Sequence, residues 1–318
     1  MADVLLCSKP FNDRCGDRLD AIAPDIERIV VDGDADLTPD ELERVTLVHF
    51  SWDVWPNHHI PFMIASVQSS NLRWFHTMSA GVDHPIFQQL MDRGVRLTKS
   101  PGTSSTPIAQ TAMMYLLALS QDLPGFLRSQ SNREWTWRSW NELPGRSVAV
   151  VGWGPIGQEV ARLADALGME VTAVRRSARG DEGFPTRTLD ELVDVAHDHD
   201  VMVLALPLTP DTNTIVDAAV IDALGPDGLL VNVGRGELLD QSALTSALVG
   251  GRLGGAGLDV TTPEPLPDDD PLWTAPNVII TPHTSGSTDG TMRRSDQIFL
   301  DNLAAWRDGE RLLTEVIP

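Results

Sequence analysis

The feature that most constrains this chain is a glycine-rich turn placed directly between a strand and a helix. The strand-like run Ser147-Val-Ala-Val-Val is followed at once by Gly152-Trp-Gly154-Pro-Ile-Gly157 and a helical pattern. In this setting the first glycine permits a tight turn, the second allows close approach of a phosphate, and the third lets helix and strand pack closely. The helix N-terminus adds N–H groups and a partial positive charge. The pattern predicts dinucleotide binding, with a purely structural glycine turn as the alternative.

Strand-like and helix-like segments alternate along the chain. The strand-like segments are mostly continuous apolar runs, typical of parallel strands buried on both faces by crossover helices. Strands are predicted at residues 4–7, 26–31, 45–50, 72–77, 95–99, 147–151, 170–174, 201–206, 228–233, 256–260 and 278–281. Helices are predicted at residues 83–92, 106–128, 156–166, 189–196, 218–224, 241–249 and 290–307. A further helix is predicted to begin after Thr38, where Pro39 and Glu41 complete a capping box.

A composition break at residues 100–107 marks the predicted end of a first domain. The segment Ser-Pro-Gly-Thr-Ser-Ser-Thr-Pro consists of turn-forming residues. We therefore predict an α/β protein with two Rossmann-like domains. Residues 104–285 are predicted to form a doubly wound parallel sheet that binds the dinucleotide. Residues 1–103 and 286–318 are predicted to form a flavodoxin-like domain, with the last helix packing back across the boundary.

The charge of the chain argues against several classes of partner. There are 24 Lys and Arg residues against 45 Asp and Glu residues, a formal net charge of −21. Such a charge disfavours nucleic acids and anionic membrane surfaces, so an anionic ligand needs a local basic pocket. Salt adaptation and GC-rich coding, which favours Arg over Lys, are the two explanations of this composition.

Other features predict a cytoplasmic protein without a metal or a membrane span. Cys7 and Cys15 are the only cysteines, too few for a disulfide framework or a zinc site. The longest uncharged stretch, residues 100–121, contains two prolines and several hydroxyl groups, which favours a buried helix over a membrane span. The N-terminus lacks the pattern of a secretory signal. His58-His59 and His197-Asp-His199 lack a third ligand at useful spacing.

The residues after the second predicted strand of the dinucleotide domain bear on the choice of cofactor. An NAD site usually has Asp or Glu there, about 20 residues after the first glycine, to accept bonds from the ribose 2′-hydroxyl. This chain has Arg175-Arg176-Ser177 instead, and Asp181 and Glu182 follow in a predicted loop. Two guanidinium groups and a hydroxyl suit a 2′-phosphate, so NADP(H) is predicted as the preferred cofactor, with NAD(H) possible. The alternative is a solvated basic pair at the start of a loop.

Three further polar residues follow predicted strands. Arg235 lies in Val-Gly-Arg-Gly, Glu264 in Thr-Pro-Glu-Pro, and His283 in Thr-Pro-His-Thr. Ligands of doubly wound sheets bind at the carboxyl ends of the strands, where these residues are expected. An Arg, a Glu and a His that converge there can bind a carboxylate and move a proton. Spacing alone leaves surface ion pairing as the alternative.

Taken in order, these motifs resemble the D-isomer-specific 2-hydroxyacid dehydrogenases. The resemblance runs from about residue 72 to residue 307. It rests on six motifs: Ser79-Ala-Gly-Val-Asp83, the glycine turn, Leu206-Pro-Leu-Thr-Pro-Asp-Thr212, residues 231–237, residues 257–267 and residues 281–286. It implies NAD(P)-dependent interconversion of a small 2-keto acid and its D-2-hydroxy acid, and a substrate domain built from residues 1–103 and 286–318.

The resemblance also implies roles for the matching residues. His283 would donate the proton in carbonyl reduction, Glu264 would orient its imidazole, and Arg235 would bind the carboxylate and carbonyl of the substrate. The backbone of Ala80, Gly81 and Val82 would bind the other side of that carboxylate. The cofactor would contact Gly152, Trp153, Gly154, Pro155, Ile156, Gly157, Arg175, Arg176, Ser177, Leu206, Pro207, Val233, Asp259 and Ser285, with Asp259 at the nicotinamide carboxamide.

Two expectations concern assembly and an alternative function. The cluster Trp135-x-Trp137-x-x-Trp140 is either core or, as in resembling reductases, an arm that forms a homodimer and brings a Trp to the partner's active site. The loop of residues 51–55 and this cluster are expected to shape the substrate pocket. The alternative function is a nucleotide-sensing, corepressor-like interaction protein on the same fold. Because Glu264 stands where formate dehydrogenases carry Gln, that branch is not expected.

Overall fold

The chain divides into two compact units in the computed structural model, which describes residues 3–82 and 84–317. Residues 1–103 and 287–318 form the first, here called the terminal unit, and residues 104–286 form the central unit. The predicted boundary after residue 103 falls at the same position, and the predicted return to the first unit differs by one residue. Asp83, part of a predicted helix and of one motif, lies outside the described residues.

The terminal unit is built on a parallel sheet of five strands. The strands are β1 (Val4–Ser8), β2 (Glu27–Val31), β3 (Leu47–Phe50), β4 (Trp74–Thr77) and β5 (Arg96–Thr98). Its first four helices are α1 (Lys9–Ile22), α2 (Pro39–Arg44), α3 (Ile60–Gln68) and α4 (Pro85–Asp92). The strand order β2-β1-β3-β4-β5 confirms the flavodoxin-like prediction. The capping box of α2 is also confirmed, because Thr38 and Glu41 each accept a bond from the other's backbone N–H.

The central unit is built on seven parallel strands. They are β6 (Ser147–Val151), β7 (Glu170–Arg175), β8 (Thr186–Thr188), β9 (Val201–Leu204), β10 (Leu229–Asn232), β11 (Gly255–Leu258) and β12 (Val278–Ile280). The helices are α5 (Ser105–Ser120), α6 (Leu123–Ser131), α7 (Pro155–Ala166), α8 (Leu192–Asp198), α9 (Ala218–Leu224) and α10 (Gln241–Val249). The order β12-β11-β10-β9-β6-β7-β8 confirms the doubly wound sheet. The last helix, α11 (Asp289–Arg307), belongs to the terminal unit.

Alternate residues of the inner strands β6, β9 and β10 enter two different cores. In β6, Val148 and Val150 pack in one apolar cluster, and Ala149 and Val151 pack in the other. All four side chains are fully buried. Because both faces of the sheet are covered at these inner strands, most of their positions need apolar side chains, which explains the nearly continuous apolar runs in the sequence.

The prediction of a single helix over residues 106–128 is wrong. The helix ends at Ser120, and a second helix begins at Leu123. Between them Asp122 adopts a left-handed conformation with a φ of 50°, and its carboxylate accepts a bond from the N–H of Gly125 at 3.0 Å. Pro124 lies in the first turn of α6, where its missing N–H is tolerated but where it cannot continue the earlier helix.

No helix in the described part of the chain is both long enough and apolar enough to cross a membrane. The uncharged stretch that contains α5 instead packs in a core, with Tyr115 and Leu116 fully buried. The prediction of a buried helix there is confirmed.

Candidate active site

The glycine turn after β6 has the three properties that its sequence predicts. Gly152 has a φ of 109°, and a Cβ at this position would lie 2.6 Å from the backbone of Ala205. A Cβ on Gly157 would overlap the carbonyl oxygen of Gly152, so this glycine permits the close packing of α7 on β6. A Cβ on Gly154 would meet nothing within 4 Å. A side chain would therefore clash at Gly152 and Gly157, whereas the space beside Gly154 is empty.

The N-terminus of α7 fits a dinucleotide pyrophosphate. Gly154 is the N-cap and offers no side-chain bond to the first turn, and Pro155 occupies a position where an N–H would have no helical partner. Ile156 and Gly157 also lie in the first turn, where backbone N–H groups have no partner within the helix. This end of the helix dipole attracts anions.

Of the predicted 2′-phosphate residues, Arg175 is the last residue of β7, and Arg176 and Ser177 follow the strand. The guanidinium of Arg175 donates to Glu182 at 2.8 Å, and only 18% of its side chain is exposed. Arg176 is well exposed and donates to the exposed carboxylate of Asp211 at 2.9 Å. Ser177 is exposed. The two arginines are therefore not an equivalent pair, since one is held by a buried carboxylate and the other by a surface ion pair.

Glu182, for which the sequence predicts only a loop position, contacts Arg175 directly. Its carboxylate is almost fully buried and accepts bonds from the N–H groups of Arg179 and Gly180, each at 2.8 Å, besides the bond from Arg175. The backbone bond from Arg179 is the main cause that lowers the pKa of Glu182 to about 2, and burial opposes it. A polar cavity of about 420 Å³ adjoins these groups, lined by Trp153, Gln158, Arg175, Arg179, Asp181, Glu182 and Phe184.

Asp259 organises the loop that follows β12. It is 1% exposed, and its carboxylate accepts bonds from the hydroxyl of Thr281 at 2.6 Å and from the N–H of Thr284 at 3.0 Å. The N–H and hydroxyl of Ser285 also donate to it. A carboxylate has about four acceptor positions, so these donors use most of its capacity. The predicted contacts of Asp259 and Ser285 with the cofactor remain predictions.

His283 lies in the middle of this loop and contacts Glu264. It has a left-handed φ of 54°, and its N–H donates to the backbone carbonyl of Asp259 at 2.8 Å. Its Nδ1 lies 2.8 Å from a carboxylate oxygen of Glu264. This hydrogen bond is the main cause that raises the pKa of His283, against the lowering effect of burial. The structure thus brings together His283, the predicted proton donor, and Glu264, the residue predicted to orient its imidazole.

Glu264 is itself held by the backbone. Its other carboxylate oxygen accepts a bond from the N–H of Thr261 at 3.1 Å. Burial acts to raise the pKa of Glu264, but the hydrogen bond from His283 and the charges of His283 and Arg235 outweigh it, so the pKa is lowered. The two shifts have one cause in common, since the contact between Glu264 and His283 stabilises the charged form of each.

Arg235 follows β10, and its charge acts on both members of that pair. The guanidinium charge lowers the pKa of Glu264 and also that of His283. The loop that carries it is fixed by Asn232, a fully buried residue that the sequence analysis missed. The side chain of Asn232 donates to the carbonyl of Arg235 at 2.8 Å and accepts from the N–H of Gly234 at 3.0 Å. A polar residue inside an apolar strand was the signal that could have found it.

The structure also locates further residues that were predicted to contact the cofactor or the substrate. Leu206 and Val233 are buried beneath the ends of the central strands, and Pro207 is exposed. Ala80, Gly81 and Val82 follow β4 in the terminal unit, where the hydroxyl of Ser79 donates to the carbonyl of Gly81 at 2.7 Å. Within residues 3–82 and 84–317, no group of three or more His, Cys, Asp or Glu side chains is arranged to hold a metal ion.

The tryptophan cluster after α6 is exposed, so its interpretation as core is wrong for this chain. Trp135 is fully exposed, and Trp137 is 85% exposed. Arg138, between Trp137 and Trp140, donates to Asp122 at 2.7 Å and lies over the ring of Phe126. The segment is thus attached to α6 while its first two indoles face solvent.

A glycine turn on one strand of a doubly wound sheet, together with a Glu–His pair and an arginine on others, defines a dinucleotide-dependent oxidoreductase. The sequence profile described as "D-isomer specific 2-hydroxyacid dehydrogenase, NAD binding domain" matches residues 113–285. The chain belongs to the D-isomer specific 2-hydroxyacid dehydrogenase family. It is an NAD(P)-dependent enzyme that acts on the CH–OH group of D-2-hydroxy acids and on the corresponding 2-keto acids.

Several relatives are similar over most of their length. A glyoxylate/hydroxypyruvate reductase A of Arabidopsis thaliana is 34% identical over 251 residues, covering 78% of this chain and 79% of that protein. A human glyoxylate reductase/hydroxypyruvate reductase is 30% identical, covering 93% and 92%. An NADPH-dependent glyoxylate/hydroxypyruvate reductase of Sinorhizobium meliloti, solved with NADP and malonate, is 30% identical with a TM-score of 0.77, covering 99% and 96%. These names do not favour the corepressor-like alternative.

The glycine turn yields a prediction that separates binding from folding. Gly154→Ala should weaken dinucleotide binding at least tenfold and leave the melting temperature unchanged, because its Cβ projects into open space where the pyrophosphate is expected. Gly157→Ala should lower the melting temperature by several degrees, because its Cβ overlaps the carbonyl of Gly152. Fluorescence titration with NADPH and differential scanning calorimetry measure the two effects. Unchanged NADPH affinity in Gly154→Ala would contradict the assignment.

Proposed function

We propose that this protein reduces short 2-keto acids, of the size of glyoxylate and hydroxypyruvate, to D-2-hydroxy acids with NADPH, and that His283 donates the proton. The observation that carries the proposal is the 2.8 Å bond between Nδ1 of His283 and Glu264. The names of the relatives support the substrate class. The decisive assay is NADPH oxidation with a panel of keto acids that includes these two and an aromatic keto acid.

His283 is suited to give up a proton from Nε2. Because Nδ1 bonds to the ionised Glu264, the other ring nitrogen is the one that can face a substrate oxygen. The raised pKa of His283 keeps the imidazolium populated toward neutral pH. In reduction the imidazolium protonates the carbonyl oxygen as that oxygen gains electron density. In oxidation the neutral imidazole takes the hydroxyl proton back.

Arg235 supplies the positive charge that a 2-keto acid requires. Its guanidinium can bind the substrate's carboxylate and polarise the adjacent carbonyl, which favours addition at the carbonyl carbon. In the terminal unit, Ala80, Gly81 and Val82 are the proposed backbone donors to the carboxylate. None of their N–H groups donates to another residue within 3–82 and 84–317. Free N–H groups after a strand end suit an anion.

The dinucleotide is held by the chain's own groups at two places. Ile156 and Gly157 at the start of α7 are proposed to donate to the pyrophosphate, and Arg175, Arg176 and Ser177 to the 2′-phosphate. The bound nicotinamide supplies the hydride that the carbonyl carbon receives. Arg179, which lines the same cavity as Arg175, is a third cation near the proposed phosphate position.

The first prediction for this mechanism concerns the proton donor. His283→Ala should lower kcat for keto-acid reduction by about 10²- to 10⁴-fold, the usual range for general acid–base catalysis. His197→Ala removes an exposed histidine bonded to its neighbour Asp198 and is the matched control. Steady-state NADPH oxidation measures both variants. If His283→Ala reduced keto acids at a near-parental rate, the assignment of the proton donor would be wrong.

The second prediction concerns the pH dependence of the same step. Reduction needs the imidazolium, so kcat/KM for the keto acid should fall as the pH rises through the pKa of His283. Glu264→Gln removes the carboxylate that is the main cause of the raised pKa. The fall should then occur at a pH about one unit lower or more, the usual effect of an adjacent opposite charge. A profile of kcat/KM that did not move in Glu264→Gln would contradict the pairing.

We also propose that the enzyme prefers NADPH over NADH. One or two charge-assisted bonds to the 2′-phosphate, each about 1.5–3 kcal/mol, correspond to roughly 10- to 10³-fold. The exposed ion pair of Arg176 with Asp211 contributes little and can open, so Arg176 is free to turn to the phosphate. Arg175 keeps donors besides the one directed at Glu182, since a guanidinium has five N–H groups.

The prediction is an NADPH preference of at least tenfold in kcat/KM at low salt that shrinks as salt is added. It should largely vanish in the double variant Arg175→Ala, Arg176→Ala. Arg187→Ala is the matched control, because Arg187 on β8 is paired with Glu191 and Asp198 and does not line the cavity. Equal efficiency of NADH and NADPH in the parent at low ionic strength would refute the preference.

Homodimerisation is proposed from an apolar groove in the central unit. The groove has a volume of about 680 Å³ and is lined by α5, α6 and α7, including the exposed side chains of Met114, Leu117 and Leu123. The exposed Trp135 and Trp137 follow α6 and offer large apolar rings. A second copy presents the same groove and the same rings, which is the requirement for a twofold interface. Exposed apolar surface of this kind marks an interaction site.

This proposal predicts a dimer at micromolar concentration by sedimentation velocity. Leu117→Arg should convert the dimer to a monomer, because a charge in a buried apolar interface has no partner. Val249→Arg places the same charge on an exposed apolar residue at the end of α10 and should leave the dimer intact. A monomeric parent would exclude the proposal, and a dimeric Leu117→Arg would exclude this groove as the interface.

A cytoplasmic location is proposed from the cysteines and the charge. Cys7 and Cys15 are both buried and free, and burial is the main cause that raises the pKa of the Cys7 thiol to about 12. Such thiols are inert and suit a reducing compartment. The net charge of −21 supports a small anionic substrate in a local basic site rather than a nucleic acid.

A further inference from the structure

Tyr115 is the only tyrosine of the chain, and no step proposed above uses it. It lies on α5 with its side chain fully buried. Its hydroxyl forms a hydrogen bond with the hydroxyl of Thr281, the residue two positions before His283. Burial is the main cause that raises the pKa of Tyr115 to about 12, so the phenol is protonated and can donate at neutral pH.

The ring of Tyr115 is fitted to the strand that precedes Asp259. A Cβ on Gly257 of β11 would lie 2.5 Å from both Cβ and Cγ of Tyr115, so no larger residue fits there while the tyrosine ring keeps its place. The ring and the glycine are therefore complementary across α5 and β11. This close approach brings the phenol oxygen to the start of the loop of residues 281–285.

The bond directions in this chain of hydroxyls follow from the number of protons. Thr281 has one hydroxyl proton, and it donates this proton to the buried carboxylate of Asp259 at 2.6 Å. Tyr115 must therefore donate to Thr281. A chain of donors thus runs from Tyr115 through Thr281 to Asp259, and each bond in such a chain strengthens the next.

Asp259 is the point at which this chain reaches His283. Its backbone carbonyl accepts the N–H of His283, and its carboxylate accepts the N–H groups of Thr284 and Ser285. The charge of Asp259 also raises the pKa of His283. Losing the bond from Thr281 to Asp259 should therefore affect both the position of the His283 imidazole and the effect of the Asp259 charge on it.

We infer that Tyr115 is a positioning residue that holds His283 in place through Thr281 and Asp259. This inference rests on the proposed role of His283 as proton donor. The hydroxyl of Tyr115 forms a hydrogen bond with Thr281, and its ring packs on Gly257. Its hydroxyl is therefore expected to affect proton transfer more than binding.

Tyr115→Phe removes one oxygen and keeps the ring that packs on Gly257. We expect kcat to fall about three- to tenfold, the KM values for NADPH and for the keto acid to stay within about twofold, and the kcat pH profile to shift. Thr111→Val is the matched control: it removes a hydroxyl of the same helix that donates only to the carbonyl of Pro107, and it should leave kcat and the profile unchanged.

A double-mutant cycle tests whether Tyr115 acts through Thr281. Thr281→Val should lower kcat more than Tyr115→Phe does, because it removes the donor to Asp259 as well. The combination of the two should be no worse than Thr281→Val alone, since the phenol then has nothing to act on. Thr281→Ser keeps the hydroxyl and should restore most of the activity.

The coupling of Tyr115 to His283 can also be tested without turnover, by NMR spectroscopy on the protein without cofactor. Tyrosine labelled with ¹³C at Cζ gives one resonance, because the chain has one tyrosine. In the parent this resonance should shift with pH as His283 ionises, at a pH above the ordinary range of a histidine, because the bond to Glu264 raises the pKa of His283. The shift should disappear in His283→Gln and in Thr281→Val.

The outcomes separate this inference from the proposed function. Parental kcat and pH profile in Tyr115→Phe, or a resonance that does not titrate in the parent, would overturn the inference while a large effect of His283→Ala still stood. Additive losses in the cycle, or equal losses in kcat and in affinity, would also overturn it, because they would show a merely structural role. Retained turnover in His283→Ala would instead overturn the proposed function, and the titration would still report whether the two residues are coupled.

Discussion

The buried carboxylate of Asp259 is the constraint on which the rest of the candidate site depends. A charge with 1% of its surface exposed is stable only if donors surround it. Here the donors are Thr281, Thr284 and Ser285, so the loop after β12 must wrap around the end of β11. His283 lies within that wrapped loop and takes a left-handed backbone conformation that few non-glycine residues adopt. Glu264 follows the same strand, so one strand end determines both partners of the acid–base pair.

The sequence was sufficient to predict the parts of the fold that repeat a simple pattern. The inner strands β6 and β9 alternate between two cores and are therefore almost wholly apolar, so each is recognisable in the sequence as an apolar run. Helices α9 and α10 were predicted to the residue, since each begins after an Asp that caps it. The strand β8 (Thr186–Thr188) was missed because it is a short, polar, half-buried edge strand with no apolar run to reveal it.

The residues that sequence reasoning could not place are those whose partners lie far along the chain or depend on loop conformation. The sequence gives no sign that Tyr115 lies beside Thr281 or Gly257, although Tyr115 contacts both. Glu182 was judged by its distance from the glycine turn, and its burial results from a loop that folds back with Gly180 and Gly183 at positive φ. Motif positions such as His283 were predictable because strand ends of a parallel sheet meet at one edge.

The balance of charge differs between the region near β7 and the region around His283. Near β7, Glu182 neutralises and orients Arg175, which fixes one guanidinium in a chain of net charge −21 and leaves the exposed Arg176 to adapt. Around His283 the balance is reversed, because the charge of Arg235 lowers the pKa of the imidazole while the direct bond from Glu264 raises it more. An anionic substrate needs the positive charge of Arg235, and His283 needs the negative charge of Glu264 to remain a proton donor. Direct contact with Glu264 is what lets the imidazolium persist beside the guanidinium charge that the substrate requires.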